Sequence, residues 1–241
     1  MSYIVVIPAR LKSTRLKEKL LIKIGNDEIL KRTYNRCLKV ISPKNIIIAT
    51  DSKKIIKLCE EIGARYFFTK NNCLTGTDRV AEVAKKIKRK YYINVQGDEP
   101  FLDPHDLKKM INALRLLKKV DVINGYSYIK NKKEYLEPSI PKLIFNEKKE
   151  LIYMSRAPIP SSKNKKFTFA YKQICIYGFK RKPLLNFKNI SKSKIEKKED
   201  IEILRFIEKG YKIKMVSLSG KSFAIDTIKD LKKAKKFLDK K

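Results

Sequence analysis

An α/β fold with a doubly wound, mostly parallel sheet is the class this sequence predicts, and three observations predict it. Short apolar runs alternate with segments of helical period along the chain. The first run, YIVVI at 3–7, reads as a buried strand stopped by Pro8. Acidic residues directly follow two later apolar runs, at Asp98 and Asp226, and open α/β sheets keep their ligands beyond the carboxyl ends of strands.

The elements follow in order. Residues 28–40 place Ile29, Leu30, Thr33, Tyr34, Cys37 and Leu38 on one helical face. NIIIATD at 45–51 is the second strand, and residues 52–62 form a helix stopped by Gly63. RYFF at 65–68 is a third strand, residues 77–89 a helix, and YYINVQ at 91–96 a further strand. Asp103 is placed as an N-cap with Pro104 at the first helical position, opening a helix to about Leu117. VDVINGYSYI at 120–129 returns to strand. The character changes over 140–180, where KLIFNEKKELIYM reads as a hairpin and KQICIYGF as a strand pairing elsewhere. A single domain over 1–241 is expected, with an inserted β-rich lobe at about 130–190. A helix at 196–209, a strand at 211–217 and a helix from Thr227 complete the chain.

Composition narrows the function. With 241 residues, 43% of them apolar, the chain can build one ordinary core. No apolar stretch reaches the ~18 residues needed to span a membrane, and MSYIVVIPAR lacks a basic leader, so no membrane partner is expected. Cys37, Cys59, Cys73 and Cys175 form no CxxC pair, which suits a reducing cytoplasm. The net charge of +33 raises the question of nucleic acid. The lysines are scattered, mostly on helices where they face solvent, with no RNA-binding motif among them, so a general lysine-rich surface is favoured.

Several segments carry chemistry. Arg10, Arg15 and Lys19 follow the first strand, with the hydroxyls of Ser13 and Thr14 among them. Such a loop suits a polyphosphate or is simply a solvated basic turn. It is no Walker A motif, because no glycine occurs before Gly25. VQGDEP at 95–100 places Asp98 and Glu99 at a strand end, where a carboxylate can hold Mg²⁺, and Gly97 permits close backbone approach. Asp226 in SFAIDT repeats the placement, as a second metal ligand or as the cap of the last helix. Two such carboxylates with a cationic loop suggest metal-assisted phosphoryl or nucleotidyl transfer. TGTDR at 75–79 reads either as a phosphate or base site at a helix start or as a capping sequence. Glu199, Glu202 and Arg205 share a helical face, as sugar ligands or as a solvated salt-bridged stripe. His105 is the sole histidine, so triads and His-rich zinc sites lack support.

Taken in order, IPARLKSTRLKEKLL, ATD at 49–51, TGTDRVAEV, INVQGDEPF, MSRAPIP, ICIYGFK, EDIEILRFIEKGYKI and AIDT with KDL resemble the CMP-KDO synthetase family, the 3-deoxy-manno-octulosonate (KDO) cytidylyltransferases. The match spans nearly the whole chain, and TGTDR with QGDEP is its specific part. The resemblance implies a Rossmann-like nucleotidyltransferase that moves CMP from CTP to KDO for lipopolysaccharide biosynthesis, uses Mg²⁺ and is a homodimer. On matching positions it implies that Arg10, Ser13, Arg15 and Lys19 hold the triphosphate and that Thr75, Gly76, Thr77 and Arg79 seat the nucleotide. Asp98 and Asp226 take the metal. Gln96 serves nucleotide and sugar, while Arg156, Gln173, Tyr177, Glu199 and Glu202 line the sugar side. The sequence departs from the family pattern where Lys17 and Glu18 replace a usual Pro-Gly, which should leave that loop less constrained, and where Gln173 stands in place of a common His. Another acidic sugar, an 8-amino-KDO or a nonulosonic acid, is the alternative substrate. A basic RNA-binding protein on a degenerate transferase fold is the alternative class.

Overall fold

The computed structural model describes residues 2–13, 15–164 and 166–239; Thr14 lies outside them. Strand β1 (Tyr3–Ala9) is buried on both sides because its side chains alternate between two cores. Val5 and Ile7 join one cluster, Ile4 and Val6 the other. The chain then makes a turn, a short 3₁₀ segment at Lys19–Leu21, and a small separate pair, β2 (Lys23–Ile24) with β3 (Asp27–Glu28). Helix α1 (Ile29–Leu38) buries Ile29, Leu30, Thr33, Tyr34 and Cys37, the face expected of it.

The alternation continues with β4 (Ile46–Thr50), α2 (Lys53–Glu61), β5 (Tyr66–Phe68), α3 (Gly76–Lys86), β6 (Tyr91–Val95) and α4 (Pro104–Ala113). Helix α3 ends short of the expected residue 89. The Tyr92 hydroxyl accepts from Arg89 N and donates to Ile87 O, taking the backbone groups a further turn would have used. Asp103 caps α4 through His105 N at 2.9 Å, and residues Leu114–Lys118 continue as 3₁₀ helix.

Next come β7 (Val122–Tyr128), α5 (Lys132–Leu136), the hairpin β8 (Lys142–Phe145) with β9 (Leu151–Ser155), and β10 (Tyr171–Lys180). Strand β10 lies in the middle of the main sheet, antiparallel to both β6 and β7, and its first residues also pair with β8. The chain closes with α6 (Arg181–Lys188), α7 (Lys194–Glu199), α8 (Leu204–Glu208), β11 (Ile213–Ser217) and α9 (Ile228–Leu238). The main strand order is β11-β7-β10-β6-β1-β4-β5, parallel except where β10 intervenes.

The single helix expected at 196–209 is two helices. Asp200 adopts a left-handed conformation, φ 51°, a region that Asp tolerates better than most residues. The break removes the shared face expected of Glu199, Glu202 and Arg205, and none of the three belongs to a solvated stripe. Arg205 points into the core. Its Nε and Nη2 each lie 2.6 Å from a Glu196 carboxylate oxygen, Nη1 is 3.5 Å from Asp78, and the guanidinium stacks 3.7 Å from the Phe187 ring. This buried group joins α8, α7 and the start of α3. Removing one member strands the other charges, so Arg205→Met is expected to lower stability by about 3–5 kcal/mol. Urea unfolding measures this, and an unchanged midpoint would contradict the account.

Candidate active site

Three segments meet beyond the carboxyl ends of β1 and β6. Gly97 sits so close to β1 that a Cβ there would lie 2.9 Å from Pro8 O, so the glycine is required by close approach. Thr33 Oγ1 donates to Gly97 O at 3.0 Å and fixes the turn that presents Asp98. The backbone N–H of Ile225 donates to Asp98 O at 3.0 Å, which brings Asp226 alongside. Thr227, not Asp226, caps α9, through a reciprocal pair with Asp230, so the Asp226 carboxylate is left for the site. Lys19 rises from the basic loop, anchored by its buried neighbour Leu20. Its Nζ stands 2.5 Å from Asp98 Oδ2 and 2.8 Å from Asp226 Oδ1. Arg15 adds a contact of 3.1 Å to Asp226.

Charge at this centre is mutually supported. Burial alone would lower the Lys19 ammonium, but Asp98 and Asp226 outweigh it and hold it above its usual range. Burial likewise works against the Asp226 carboxylate, yet Lys19, then Arg15 and Arg156, keep it below its ordinary value. Glu99 is the opposite case. It is buried behind Asp98, one carboxylate oxygen has no hydrogen-bond partner, and burial with the nearby Asp98 and Asp226 charges pushes it up to about 8.

Glu18 takes the turn before Lys19 at φ 49°, a backbone shape that favours glycine. Two contacts hold this turn where the family's Pro-Gly is missing. Leu21 N donates to Glu18 O at 2.9 Å, and Lys54 pairs with the Glu18 carboxylate at 2.6 Å.

The start of α3 forms the opposite wall. Thr75 and Asp78 make a reciprocal cap, as one of the two sequence readings had it. The N–H groups of Gly76 and Thr77, expected to face a ligand, both donate at 3.1 Å to the Glu202 carboxylate. Glu202 therefore sits against the start of α3, on the same wall as Thr75 and Gly76. Burial raises its pKa against the pull of those N–H groups. Arg79 borders the cleft, but its guanidinium is committed to Asp51 at 2.7 Å and to Thr69.

One cleft brings together Arg10, Ser13, Arg15, Lys19, Thr75, Gly76, Arg79, Gln96, Asp98, Glu202 and Asp226. Lys192, Glu196, Asp200 and Cys73 also line it. Sequence reasoning missed these. Lys192 was one lysine among many, while Glu196 and Asp200 were hidden inside the presumed single helix. Thr77, Arg156, Gln173, Tyr177 and Glu199 are not on its wall. Gln173 and Tyr177 are buried on β10, where Gln173 Nε2 donates to Asn124 Oδ1 at 3.1 Å and to the Tyr177 hydroxyl at 3.0 Å. Glu199 accepts from Arg156 N at 2.8 Å and Ser155 Oγ at 2.7 Å, which, with the Tyr153 hydroxyl and the Arg156 charge, outweigh burial and lower its pKa. Arg156 Nε returns to Glu199 O at 2.5 Å, while Nη1 and Nη2 each donate at 3.0 Å to Pro138 O and Asp200 O.

As for a metal, the donors available are Asp98 and Asp226. Both already share one cation, the Lys19 ammonium, which shows that two hard oxygens converge on a point. Mg²⁺ that binds chiefly through substrate phosphates and water asks for no larger protein set, so the residues fit.

Comparison with known proteins agrees with this geometry. A model of the cytidylyltransferase family matches residues 4–213. A 3-deoxy-manno-octulosonate cytidylyltransferase of Elusimicrobium minutum is 35% identical, covering 98% of this chain and 97% of its own. One from Escherichia coli is 31% identical over 96% and 94%. The solved structure of a CMP:2-keto-3-deoxy-manno-octonic acid synthetase complexed with CTP superposes with a TM-score of 0.92 at 30% identity, covering 100% of this chain and 99% of that one. With the converging carboxylates (Asp98 just past β6, Asp226 on the coil before α9 and not at the strand end expected of it), basic loop and full-length similarity in agreement, the chain belongs to the 3-deoxy-manno-octulosonate cytidylyltransferase family.

Proposed function

We infer that this chain transfers CMP from CTP to KDO and releases pyrophosphate, the activation step that lipopolysaccharide assembly requires. The observation that carries the reading is the convergence of Asp98 and Asp226 on Lys19 beside the basic loop. In the reaction the anomeric hydroxyl oxygen of the sugar acid attacks the α-phosphorus. The bond from that phosphorus to the β-phosphate bridging oxygen breaks, that oxygen leaves on pyrophosphate, and the hydroxyl proton passes to solvent water. Arg10, Arg15 and Lys19 take the negative charge that builds on pyrophosphate, through charge-assisted hydrogen bonds. Ser13, Thr75 and Gln96 contribute neutral polar contacts along the nucleotide. Asp98 and Asp226 would hold Mg²⁺, which when bound neutralises the α-phosphate and acidifies the attacking hydroxyl.

Arg156 holds the sugar carboxylate in this reading. After its bonds to backbone carbonyls it keeps a further N–H donor on Nη1, while Nη2 also lies 3.7 Å from the exposed Asp200 carboxylate, a pair that the sugar carboxylate would replace. Gln173 and Tyr177 support the sugar side from behind. We place the reaction in the cytoplasm, which suits four free cysteines; no helix among the described residues is long and apolar enough to cross a membrane. The whole chain acts as one catalytic domain; of the lobe expected at about 130–190, β10 is a strand in the middle of the main sheet, and the segment before it, with the β8–β9 hairpin, covers the sugar side. The active unit is a homodimer. The support on the surface is the contiguous aromatic group Tyr128, Tyr171 and Phe169, whose outer members are 62% and 53% exposed.

Three outcomes are expected. Pyrophosphate release with KDO and Mg²⁺ should require CTP, with ATP, GTP and UTP as controls, and should fall ~10²–10³-fold in Asp98→Ala and in Asp226→Ala. Near wild-type turnover in both variants would remove the metal role. Light scattering should return a mass near twice 28.2 kDa, and a monomer at micromolar concentration would refute the dimer. Glu99 gives a pH effect with a definite sign. Its folded pKa of about 8 exceeds the ordinary 4.5, so between these values the unfolded chain releases a proton that the native protein keeps. Stability therefore falls as pH rises through that window. Glu99→Gln removes this slope. The variant should match wild type near pH 5 and exceed it at pH 8 by on the order of a few kcal/mol in urea unfolding. Equal pH slopes in the two proteins would contradict the assignment.

A further inference from the structure

Lys142 stands in β8 with its side chain fully buried. It has no ion-pair partner among the described residues. Its ammonium donates instead to two backbone carbonyls, Glu137 O at 2.9 Å and Arg156 O at 2.5 Å. A buried charge held only by carbonyls is costly, and burial, reinforced by the Arg156 charge, pulls its pKa down against the weaker pull of Glu137 and Glu199. An apolar side chain of similar length would fill the space at less cost, so the ammonium serves a purpose other than packing.

Where its bonds go indicates that purpose. Arg156 is the residue after the end of β9, beyond the reach of the strand ladder. Lys142 pairs in register with Ser155, and from there its ammonium reaches one residue further to hold the Arg156 carbonyl. The same ammonium holds Glu137 O, and Arg156 Nη1 donates to the adjacent Pro138 O. Lys142 thus ties the segment at Glu137–Pro138 to that of Arg156, the same two segments that the Arg156 guanidinium joins through Pro138 O. Glu199 fixes the Arg156 N–H, and Lys142 fixes its C=O.

We propose that Lys142 is a positioning residue for Arg156 and through it sets the affinity for the acidic sugar. The proposal rests on the reading that Arg156 holds the sugar carboxylate, and the experiment separates the two. Steady-state kinetics with CTP and KDO compare wild type, Lys142→Met, Arg156→Gln and the double variant. KM does not depend on the fraction of enzyme folded, so loss of folded protein lowers the maximal rate alone. Both single variants should raise KM for the sugar ~10-fold or more, the scale of one misplaced charge-assisted hydrogen bond, with KM for CTP within about twofold. The double variant should be no worse than Arg156→Gln, because the two residues act in series. Lys142→Gln, whose amide can donate to both carbonyls, should fall between wild type and Lys142→Met, and it supplies the same comparison should Lys142→Met not fold. If Arg156→Gln raises the sugar KM and the Lys142 variants do not, or if the Lys142 variants raise both KM values alike, the proposal fails while the Arg156 reading stands. If Arg156→Gln leaves the sugar KM unchanged, the Arg156 reading fails and takes the proposal with it.

Discussion

One ammonium between two carboxylates sets the spacing of the catalytic cleft. Asp98 comes from the end of β6 and Asp226 from the segment before α9, far apart in sequence, and both are held by Lys19 from the loop after β1. Like charges this close repel strongly in a half-buried site unless a cation separates them. Lys19 supplies it, and the consequence reaches each partner: the ammonium is raised and Asp226 is lowered. The arrangement keeps two negative oxygens aimed at one point before nucleotide arrives, which is the preorganisation that charge-stabilising catalysis requires.

The fold exists to deliver those three side chains. Gly97 lets β6 end against Pro8, Thr33 in α1 fixes the turn, and the Ile225 N–H ties the last crossover to Asp98 O. The second wall is built on the same principle. Arg205 joins Glu196 and Asp78, and Glu202 occupies the first N–H groups of α3, so the TGTDR segment is held by charges from α7, α8 and the turn between them. Glu18 illustrates the cost of the loop between. It adopts a left-handed backbone without glycine's freedom and is steadied by its pair with Lys54.

Much of this was legible in the sequence, for identifiable reasons. Strand β1, helix α1 and the Asp103 cap follow from periodicity and local capping chemistry, which act over a few residues. Asp98 was legible because a carboxylate soon after an apolar run sits past a strand end; Asp226 was found by the same reasoning, but SFAID forms no strand, since β11 ends at Ser217 and residues 218–226 run as coil into α9. The segment after α7 was not. EDIEILRF has an unbroken helical period, and only tertiary demand puts Asp200 at positive φ, sending Glu199 to the hairpin, Glu202 to α3 and Arg205 into the core. The TGTDR segment showed the opposite weakness. Its capping role was written locally, but no local signal says that a carboxylate over a hundred residues later fills its N–H groups. The place of β10 between β6 and β7 is likewise a matter of pairing, which a single strand's composition does not encode.

The most direct test of the central ion-paired centre is a crystal structure with CTP and Mg²⁺ bound. The expected result is a metal on Asp98 and Asp226, with the Lys19 ammonium moved from between them onto a phosphate oxygen. A triphosphate bound away from both aspartates, with Lys19 still bridging them, would contradict the account.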